Sequence, residues 1–230
     1  MQHLVLFDID GTILHSSGAG RDAMERALAT VFGTPGDPSI RYDGKTDRQI
    51  VREAMRHAGF GDAEIDARMD EVIGLYVAGL PARLGDPARS VGMYPGVAAL
   101  IGTVHARSDT VLGLLTGNVE QGARLKLASV GLDFDQFRVN AFGSDSEVRA
   151  ELPAIAHQRM VDVFGVTLRG TDVVVIGDTP ADIACGRSLG ARAIAVATGS
   201  YTVEDLQAHE PYAVFADLSD TSAVLAAIIP

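Results

Sequence analysis

The feature that most constrains the fold of this chain is a regular alternation of short apolar runs with longer helix-like segments. Several runs are rich in Val and Ile with little polar alternation, which is typical of strands buried on both faces. The predicted strands are Leu4–Phe7, Val111–Leu115, Val139–Phe142, Val173–Ile176, Ala193–Val196 and Ala213–Phe215. The predicted helices between them span about 119–130, 152–164, 180–189, 202–208 and 219–228. This order predicts an α/β fold, a parallel sheet core with helices on both faces.

Residues 16–90 depart from this alternation and contain no convincing buried strand. Helical periodicity is present at about 20–33, 46–58 and 62–79, with Gly and Pro marking the segment ends. We therefore expect an all-helical domain at residues 16–90, inserted into a core domain made of residues 1–15 and 91–230. An insertion directly after the first strand should lie over the carboxyl ends of the strands, where ligands bind in open α/β sheets, and act as a lid.

Composition limits the class of partner. The chain has 230 residues and a net charge of −11, which disfavours nucleic acid and anionic membranes as partners. Its one cysteine, Cys185, excludes an internal disulfide and fits a reducing compartment. The N-terminal apolar run is interrupted by Asp8, and no stretch reaches the ~18 apolar residues of a membrane span. We therefore expect a cytoplasmic protein.

Two carboxylates, Asp8 and Asp10, follow the first predicted strand directly. Side chains two residues apart on a strand share a face, so the pair would crowd unless the chain turns, and Gly11 permits a sharp turn. Buried carboxylates are costly without a neighbouring positive charge. The pair therefore indicates either a plain Asp-Gly turn or a site where one carboxylate attacks a substrate and the other delivers a proton.

A second polar cluster, Thr116-Gly117-Asn118, follows the strand predicted at Val111–Leu115. A hydroxyl, exposed backbone N–H groups and the start of the next helix can all donate hydrogen bonds to an oxyanion. Asn118 also suits a plain helix cap. By itself this cluster favours the helix cap.

A third polar cluster, Asp178 and Asp182, follows the strand predicted at Val173–Ile176 and also suits a helix start. Carboxylates, water and phosphate oxygens are the ligands that Mg²⁺ prefers, so the acids at the strand ends can supply a magnesium site if their strands are neighbours. Arg149, at the start of a predicted helix, can neutralise such a cluster and grip a phosphate. A solvated surface position is the commoner place for such an arginine.

In this order, the motifs Asp8–Thr12, Leu115–Asn118 and Ile176–Asp182 resemble those of the haloacid dehalogenase superfamily. The Gly-Asp-Thr-Pro-x-Asp form and the position of the helical insertion most resemble its phosphoglycolate phosphatase-like members. The resemblance covers nearly the whole chain. It implies a Rossmann-like core with an all-helical cap domain inserted after the first strand.

The resemblance also implies roles for the acids. Asp8 would be the nucleophile that forms an aspartyl-phosphate, and Asp10 would protonate the leaving alcohol and then activate water. Mg²⁺ would be held by Asp8, the backbone carbonyl of Asp10 and Asp178, with Asp182 in support. The cofactor expected from the resemblance is therefore Mg²⁺.

Phosphoryl binding is expected at Thr116, Gly117 and Asn118, with backbone donors of the two loops. The family usually has a lysine in its third motif, but here no lysine follows Lys126. Arg149 is our candidate for this position, and Arg159 is the second choice.

Three further residues are expected at the substrate side of the insertion. His15 stands where many relatives carry Asp, and it either faces the substrate or is simply solvated. Lys45, in the segment 43–48, resembles the family's cap-loop residues and is a candidate to bind a substrate anion. Thr46 suits either a substrate contact or a plain helix N-cap.

The function that follows from the resemblance is Mg²⁺-dependent hydrolysis of a small phosphorylated metabolite by a monomer or homodimer. Asp10 disfavours a dehalogenase, which needs no acid for its leaving group. A sugar-phosphate mutase of the β-phosphoglucomutase type shares both acids and stays open, although Thr12 favours a phosphatase. A phosphonoacetaldehyde hydrolase, in which Lys45 would form a Schiff base, is a weaker alternative. A binding protein without activity would be expected to have broken motifs, and here Asp8, Asp10, Thr116, Asp178 and Asp182 are all present.

Overall fold

The computed structural model describes residues 2–230 and contains a six-stranded parallel sheet. Across the sheet the strands follow the order β5-β4-β1-β6-β7-β8. They are β1 (His3–Phe7), β4 (Thr110–Thr116), β5 (Val139–Phe142), β6 (Val173–Gly177), β7 (Arg192–Val196) and β8 (Ala213–Phe215), while β2 (Leu14–His15) and β3 (Gly92–Met93) form a separate antiparallel pair. The predicted α/β fold is confirmed.

Helices cover both faces of the sheet because β1 is apolar on both sides. Val5 and Phe7 pack into one buried cluster, and Leu4 and Leu6 pack into another on the opposite face. The helices that follow the insertion are α4 (Val97–His105), α5 (Glu120–Ser129), α6 (Leu152–Phe164), α7 (Pro180–Cys185), α8 (Val203–Gln207) and α9 (Thr221–Ile228). Each fully buried Leu, Val or Phe contributes about 1.5–3 kcal/mol to folding, so both faces are strongly specified.

Three helices lie in the inserted segment: α1 (Ala19–Phe32), α2 (Asp47–His57) and α3 (Asp62–Leu84). They share a buried apolar cluster of their own, which Val119 of the core joins. The short β2–β3 ladder connects the two ends of the insertion next to the first strand. The division of the chain into core and cap domains stays a prediction, although the three helices lie between the predicted boundaries.

The end of α3 differs from the sequence prediction. The sequence predicts a helix over about 62–79, but the helix runs to Leu84 through Pro81, which has no backbone donor. Leu80 and Leu84 are buried in the cluster of the inserted helices, and this packing offsets the lost hydrogen bond. Within residues 2–230, every helix is too short or too polar to cross a bilayer.

Candidate active site

The three polar clusters meet because β1 lies between β4 and β6. Phe7 pairs in register with Leu114 on one side and with Ile176 on the other. The carboxyl ends of these strands therefore lie side by side at one edge of the sheet. This neighbourhood is the condition that the sequence left open, and the structure meets it.

A tight loop places Asp10 above Asp8. The amides of Ile13 and Leu14 both donate to the carbonyl of Ile9, at 2.9 and 3.0 Å, which closes the loop directly after the strand. Gly11 has a φ of +83°, a conformation that L side chains rarely adopt. The sharp turn expected from the Asp-Gly sequence is therefore present, and it separates the two carboxylates.

Asp8 is buried beside two other acids and one arginine. Carboxylate oxygens of Asp8, Asp178 and Asp182 lie within 4.8 Å of one another. The guanidinium of Arg149 forms ion pairs with Asp182 and, at 3.3 Å, with Asp8. Burial raises the pKa of Asp8 to about 7, although the Arg149 charge opposes this increase. Three buried acids therefore face one guanidinium, and the cluster has an excess of negative charge.

Asp178 is held by backbone that leaves no room for side chains. A Cβ on Gly199 would lie 1.8 Å from its Oδ2, and one on Gly11 would lie 2.2 Å from the same atom. The Thr12 hydroxyl donates a 3.3 Å hydrogen bond to its Oδ1. Burial, followed by the charges of Asp182 and Asp8, raises the pKa of Asp178 well above its ordinary value. A cation between Asp8 and Asp178 would reduce the repulsion between these buried carboxylates. Two carboxylates are a donor set that fits Mg²⁺.

Both carboxylate oxygens of Asp182 accept hydrogen bonds from the protein. Its Oδ2 accepts hydrogen bonds from the Thr179 amide (3.0 Å) and hydroxyl (2.6 Å), which forms a capping box at the start of α7. Its Oδ1 accepts from Arg149. Asp182 thus orients Arg149 and the loop that carries Asp178, and its expected support of a metal stays a prediction.

Asp10 has two partners, one of which the sequence did not reveal. Its Oδ2 accepts hydrogen bonds from the side-chain amide of Asn118 at 2.8 Å and from the Lys126 ammonium at 2.6 Å. Lys126 also donates to the Asn118 Oδ1 at 2.6 Å. Burial by itself lowers the pKa of Lys126, but the interactions with Asp10, Tyr76 and Asp47 outweigh it, so that the pKa is raised and the ammonium stays charged.

The sequence around Lys126 indicates that this lysine is buried. In the predicted helix over 119–130 it shares one face with Gly122, Ala123 and Leu127, all of which are buried in the structure. A lysine on an otherwise small and apolar helix face needs a buried partner. The face itself therefore pointed to a charged contact.

Asn118 does not cap α5 as expected from its sequence position. The helix begins after Val119, whose amide donates a 2.8 Å hydrogen bond to the Asp47 carboxylate from the inserted helices. Asp47 in turn donates its own amide to the Gly117 carbonyl at 2.8 Å. The Asp47 carboxylate takes the place of Asn118 as the cap of α5. The Asn118 side chain is therefore free to contact Asp10.

The residues predicted for phosphoryl binding lie together around the acids. Thr116 is fully buried, and its Oγ1 accepts a 2.8 Å hydrogen bond from the side-chain amide of Asn118. No acceptor for the Thr116 hydroxyl hydrogen is found within residues 2–230. Thr116, Gly117, Asn118 and Arg149 all line the cavity above the strand ends.

This cavity has a volume of about 530 Å³ and lies between the sheet and the inserted helices. His15 and Lys45 line it, the former packed edge-on against Tyr94 and the latter ion-paired with Glu53. Thr46 does not line it. Its hydroxyl accepts from the Gln49 amide as the N-cap of α2 and donates to a core carbonyl, so the structure places Thr46 as a cap and not against the cavity.

Residues 5–187 match the family described as haloacid dehalogenase-like hydrolase. A phosphoglycolate phosphatase of Rhodospirillum rubrum is 28% identical over 227 residues, covering 95% of this chain and 89% of the relative. A phosphoglycolate phosphatase of Synechococcus elongatus is 29% identical over 199 residues, covering 85% and 84%. The crystal structure of a hydrolase from Pseudomonas syringae superimposes with a TM-score of 0.72 and full coverage of both chains, at 19% identity. The similarity therefore includes the inserted helices as well as the sheet.

Proposed function

We propose that this chain, which belongs to the haloacid dehalogenase-like hydrolase family, is a Mg²⁺-dependent phosphatase that acts on a small phosphomonoester through an aspartyl-phosphate on Asp8. The observation that carries the proposal is the different surroundings of its two leading carboxylates. Asp8 is buried between Asp178 and Arg149, whereas the side chain of Asp10 is 44% exposed and lies at the cavity wall. Two acids in such different surroundings suit two different roles.

The metal would be held by Asp8 and Asp178, with the backbone carbonyl of Asp10 as a further ligand. Both side chains are buried, and together with Asp182 they carry more negative charge than Arg149 balances. When bound, Mg²⁺ supplies positive charge that stabilises the negative charge on the phosphoryl oxygens and reduces their repulsion of the Asp8 carboxylate. Asp182 would act through Arg149 and the α7 cap rather than as a ligand, since hydrogen bonds occupy both of its oxygens.

The reaction proceeds in two displacements. In the first, an oxygen of Asp8 forms a bond to phosphorus, the bond to the leaving alcohol oxygen breaks, and Asp10 gives that oxygen its proton. In the second, Asp10 takes a proton from water, the water oxygen bonds to phosphorus, and the bond to Asp8 breaks to release phosphate. Both carboxyl groups return to their starting forms.

Charge that develops on the phosphoryl oxygens is met by fixed donors of the chain. The Thr116 hydroxyl keeps its hydrogen available, because Asn118 donates to its oxygen. The guanidinium of Arg149 is fixed by Asp182 within reach of Asp8. Such preorganised donors are the main contribution that a protein makes to phosphoryl transfer.

The substrate class is a small phosphomonoester of the phosphoglycolate kind. The relatives from Rhodospirillum rubrum and Synechococcus elongatus are both named phosphoglycolate phosphatase, which supports this choice. Lys45 is ion-paired with Glu53, so it does not offer the free amine that a C–P hydrolase would need for a Schiff base. A sugar-phosphate mutase would use the same two acids, and analysis of products separates it from a phosphatase.

The proposal is tested by phosphate release from purified protein with Mg²⁺, using p-nitrophenyl phosphate and a panel that includes 2-phosphoglycolate and hexose phosphates. We expect Asp8→Asn to lower kcat by about three orders of magnitude or more. EDTA should abolish activity and added Mg²⁺ should restore it. The control Asp217→Asn changes an exposed carboxylate outside the cavity lining and should leave the rate unchanged. Full activity of the Asp8→Asn protein, or isomerised sugar phosphate without release of phosphate, would contradict the proposal.

A further inference from the structure

We propose that Lys126 is a positioning residue for Asp10, which fixes the acid's carboxyl group so that one chosen oxygen faces the substrate. The inference rests on the proposed function, because it assigns the orientation of the proposed acid. Lys126 stands outside the three motifs, 116 residues after Asp10 along the chain. Nothing in those motifs requires a lysine on α5.

The ion pair between Lys126 and Asp10 is short, and its lysine is shielded from solvent. Only 5% of the Lys126 side chain is exposed, against 44% for Asp10. Its ammonium lies 2.6 Å from both the Asp10 Oδ2 and the Asn118 Oδ1. The burial of a charged amine is costly unless it is paired, and a surface pair of this kind would contribute little. The two acceptors therefore hold the ammonium in one place.

The hydrogen bonds distinguish the two oxygens of Asp10. Oδ2 accepts from both Lys126 and Asn118, whereas Oδ1 has no hydrogen-bond partner among the described residues. A carboxyl oxygen that faces two donors cannot itself point a proton at them. Oδ1 is therefore left as the oxygen that exchanges a proton with the leaving group, and Lys126 with Asn118 sets its direction.

The inserted helices complete this arrangement. The Tyr76 hydroxyl of α3 hydrogen-bonds with Lys126, and Asp47 of α2 contributes a second negative charge nearby. Gly20 of α1 lies so close that an added Cβ would be 3.3 Å from the lysine Nζ. The ammonium thus joins the acid of the core to all three inserted helices. Lys126 has its full set of neighbours only when those helices cover the site.

A purely structural ion pair would fit the same distances, so the test uses the chemistry of the leaving group. Phenyl phosphate and p-nitrophenyl phosphate have similar shapes, but phenolate is far more basic than p-nitrophenolate and depends more on protonation. The ratio kcat/KM includes the step in which the bond to this oxygen breaks and Asp10 transfers its proton. A misplaced acid should therefore harm phenyl phosphate selectively.

We expect Lys126→Met to lower kcat/KM for phenyl phosphate about 100-fold and for p-nitrophenyl phosphate less than tenfold. In an Asp10→Asn background the same change should have no further effect, because the acid is already absent. Arg124→Met, on the same helix but at the surface, is the matched control and should change neither substrate. Far-UV circular dichroism and urea unfolding verify that each variant is folded.

Tyr76→Phe provides a second measurement that leaves Lys126 in place. It removes only the hydroxyl beside the ammonium, and we expect a several-fold loss with phenyl phosphate and none with p-nitrophenyl phosphate. Equal losses with both substrates in both variants would show a structural role and overturn the inference, as would unchanged rates. If the unaltered protein released phosphate from neither substrate, the proposed function itself would fail and this inference with it.

Discussion

At the scale of single residues, Arg149 decides how the acidic cluster is balanced. Its guanidinium contacts Asp8 and Asp182, while its Nε is buried without a hydrogen-bond partner among the described atoms. Arg159, the second candidate for the missing lysine, pairs instead with Asp145 outside the cavity lining. The geometry thus favours Arg149 as the counter-charge, and its function there is a proposal that can be tested.

Arg149→Met should destabilise the fold by about 3–5 kcal/mol, because it leaves two buried carboxylates without their cation. Arg149→Lys keeps one charge but replaces the planar guanidinium, whose Nη2 contacts both acids, with an ammonium on a shorter side chain, so we expect a folded protein with kcat reduced by at least about tenfold. Urea unfolding and phosphate release measure the two effects. Arg159→Lys is the matched control and should be close to unaltered in both. A fully active Arg149→Met protein would exclude Arg149 from the site.

The residues that sequence reasoning could predict are those whose type is set by local chain geometry. Asp8 and Asp178 stand directly after buried strands, which predicts that both lie at the same edge of the sheet, whereas the neighbourhood of β1 and β6 that brings them together comes from the structure. Lys126 and Asp47 could not be paired in this way. The contact of Asp47 depends on how α2 lies against α5, and that of Lys126 depends on how α5 lies against the loop after β1; no short motif encodes either.

At the scale of elements, strands were predictable where they form apolar runs and less so where packing overrides local preference. The strands at Val139–Phe142 and Ala213–Phe215 have the predicted bounds. Helix α4 (Val97–His105) was not predicted, because its nine mostly apolar residues lack a clear polar face. The two-residue strands β2 and β3 are too short to show any period.

The loop before α2 is the element that closes the inserted segment on the core. An added Cβ on Gly44 would lie 2.8 Å from the Ala181 Cβ and 3.0 Å from the Thr179 Oγ1, both at the start of α7. Gly44 and Gly59 both have positive φ, +71° and +93°, but Gly59 has nothing within 4 Å. The two glycines therefore share backbone strain and differ in their contact with the core.

We expect Gly44→Ala and Gly59→Ala each to lose about 1–2 kcal/mol of stability from the left-handed backbone. Gly44→Ala should in addition lower kcat/KM by about tenfold, since the added methyl group holds the loop away from α7 and opens the cavity. Urea unfolding and phosphate release from p-nitrophenyl phosphate measure the two effects. Equal kcat/KM values for the two variants would show that closure at this loop does not matter for the reaction.

At the scale of the whole molecule, the cavity is less acidic than the chain. The chain carries −11, but five basic residues line the cavity. They are Arg21, Arg41, Lys45, Lys126 and Arg149, of which the inserted segment contributes three. Five acids line the cavity as well, so the lining is neutral overall: Asp8, Asp10, Asp43, Asp47 and Asp178. A neutral lining repels a phosphomonoester less than the net charge of the chain would, and a cation bound at the acids would add the positive charge that attracts it.

The closed arrangement of the whole molecule should also be sensitive to pH through Asp47. This carboxylate is buried between α2 and α5, and burial raises its pKa to about 6 despite the Lys126 charge and the Val119 amide, which lower it. In the unfolded chain the value is 3.8. Between about pH 4 and pH 6 the folded protein therefore binds more protons than the unfolded chain, and Asp47 makes folding less favourable as the pH rises.

Asp47→Asn keeps an oxygen that can accept from the Val119 amide but cannot ionise. Its free energy of unfolding, minus that of the unaltered protein, should increase by up to about 3 kcal/mol between pH 4 and pH 7, since two pKa units correspond to about that energy. Urea unfolding at a series of pH values measures this difference. Asp205→Asn is the control, because the Thr202 amide and hydroxyl lower the pKa of Asp205, so that its change has the opposite sign and falls mostly below pH 4, which leaves a nearly flat difference between pH 4 and pH 7. A flat difference for Asp47→Asn would mean that Asp47 stays ionised at no cost and that its charge contributes to holding the inserted helices on the core.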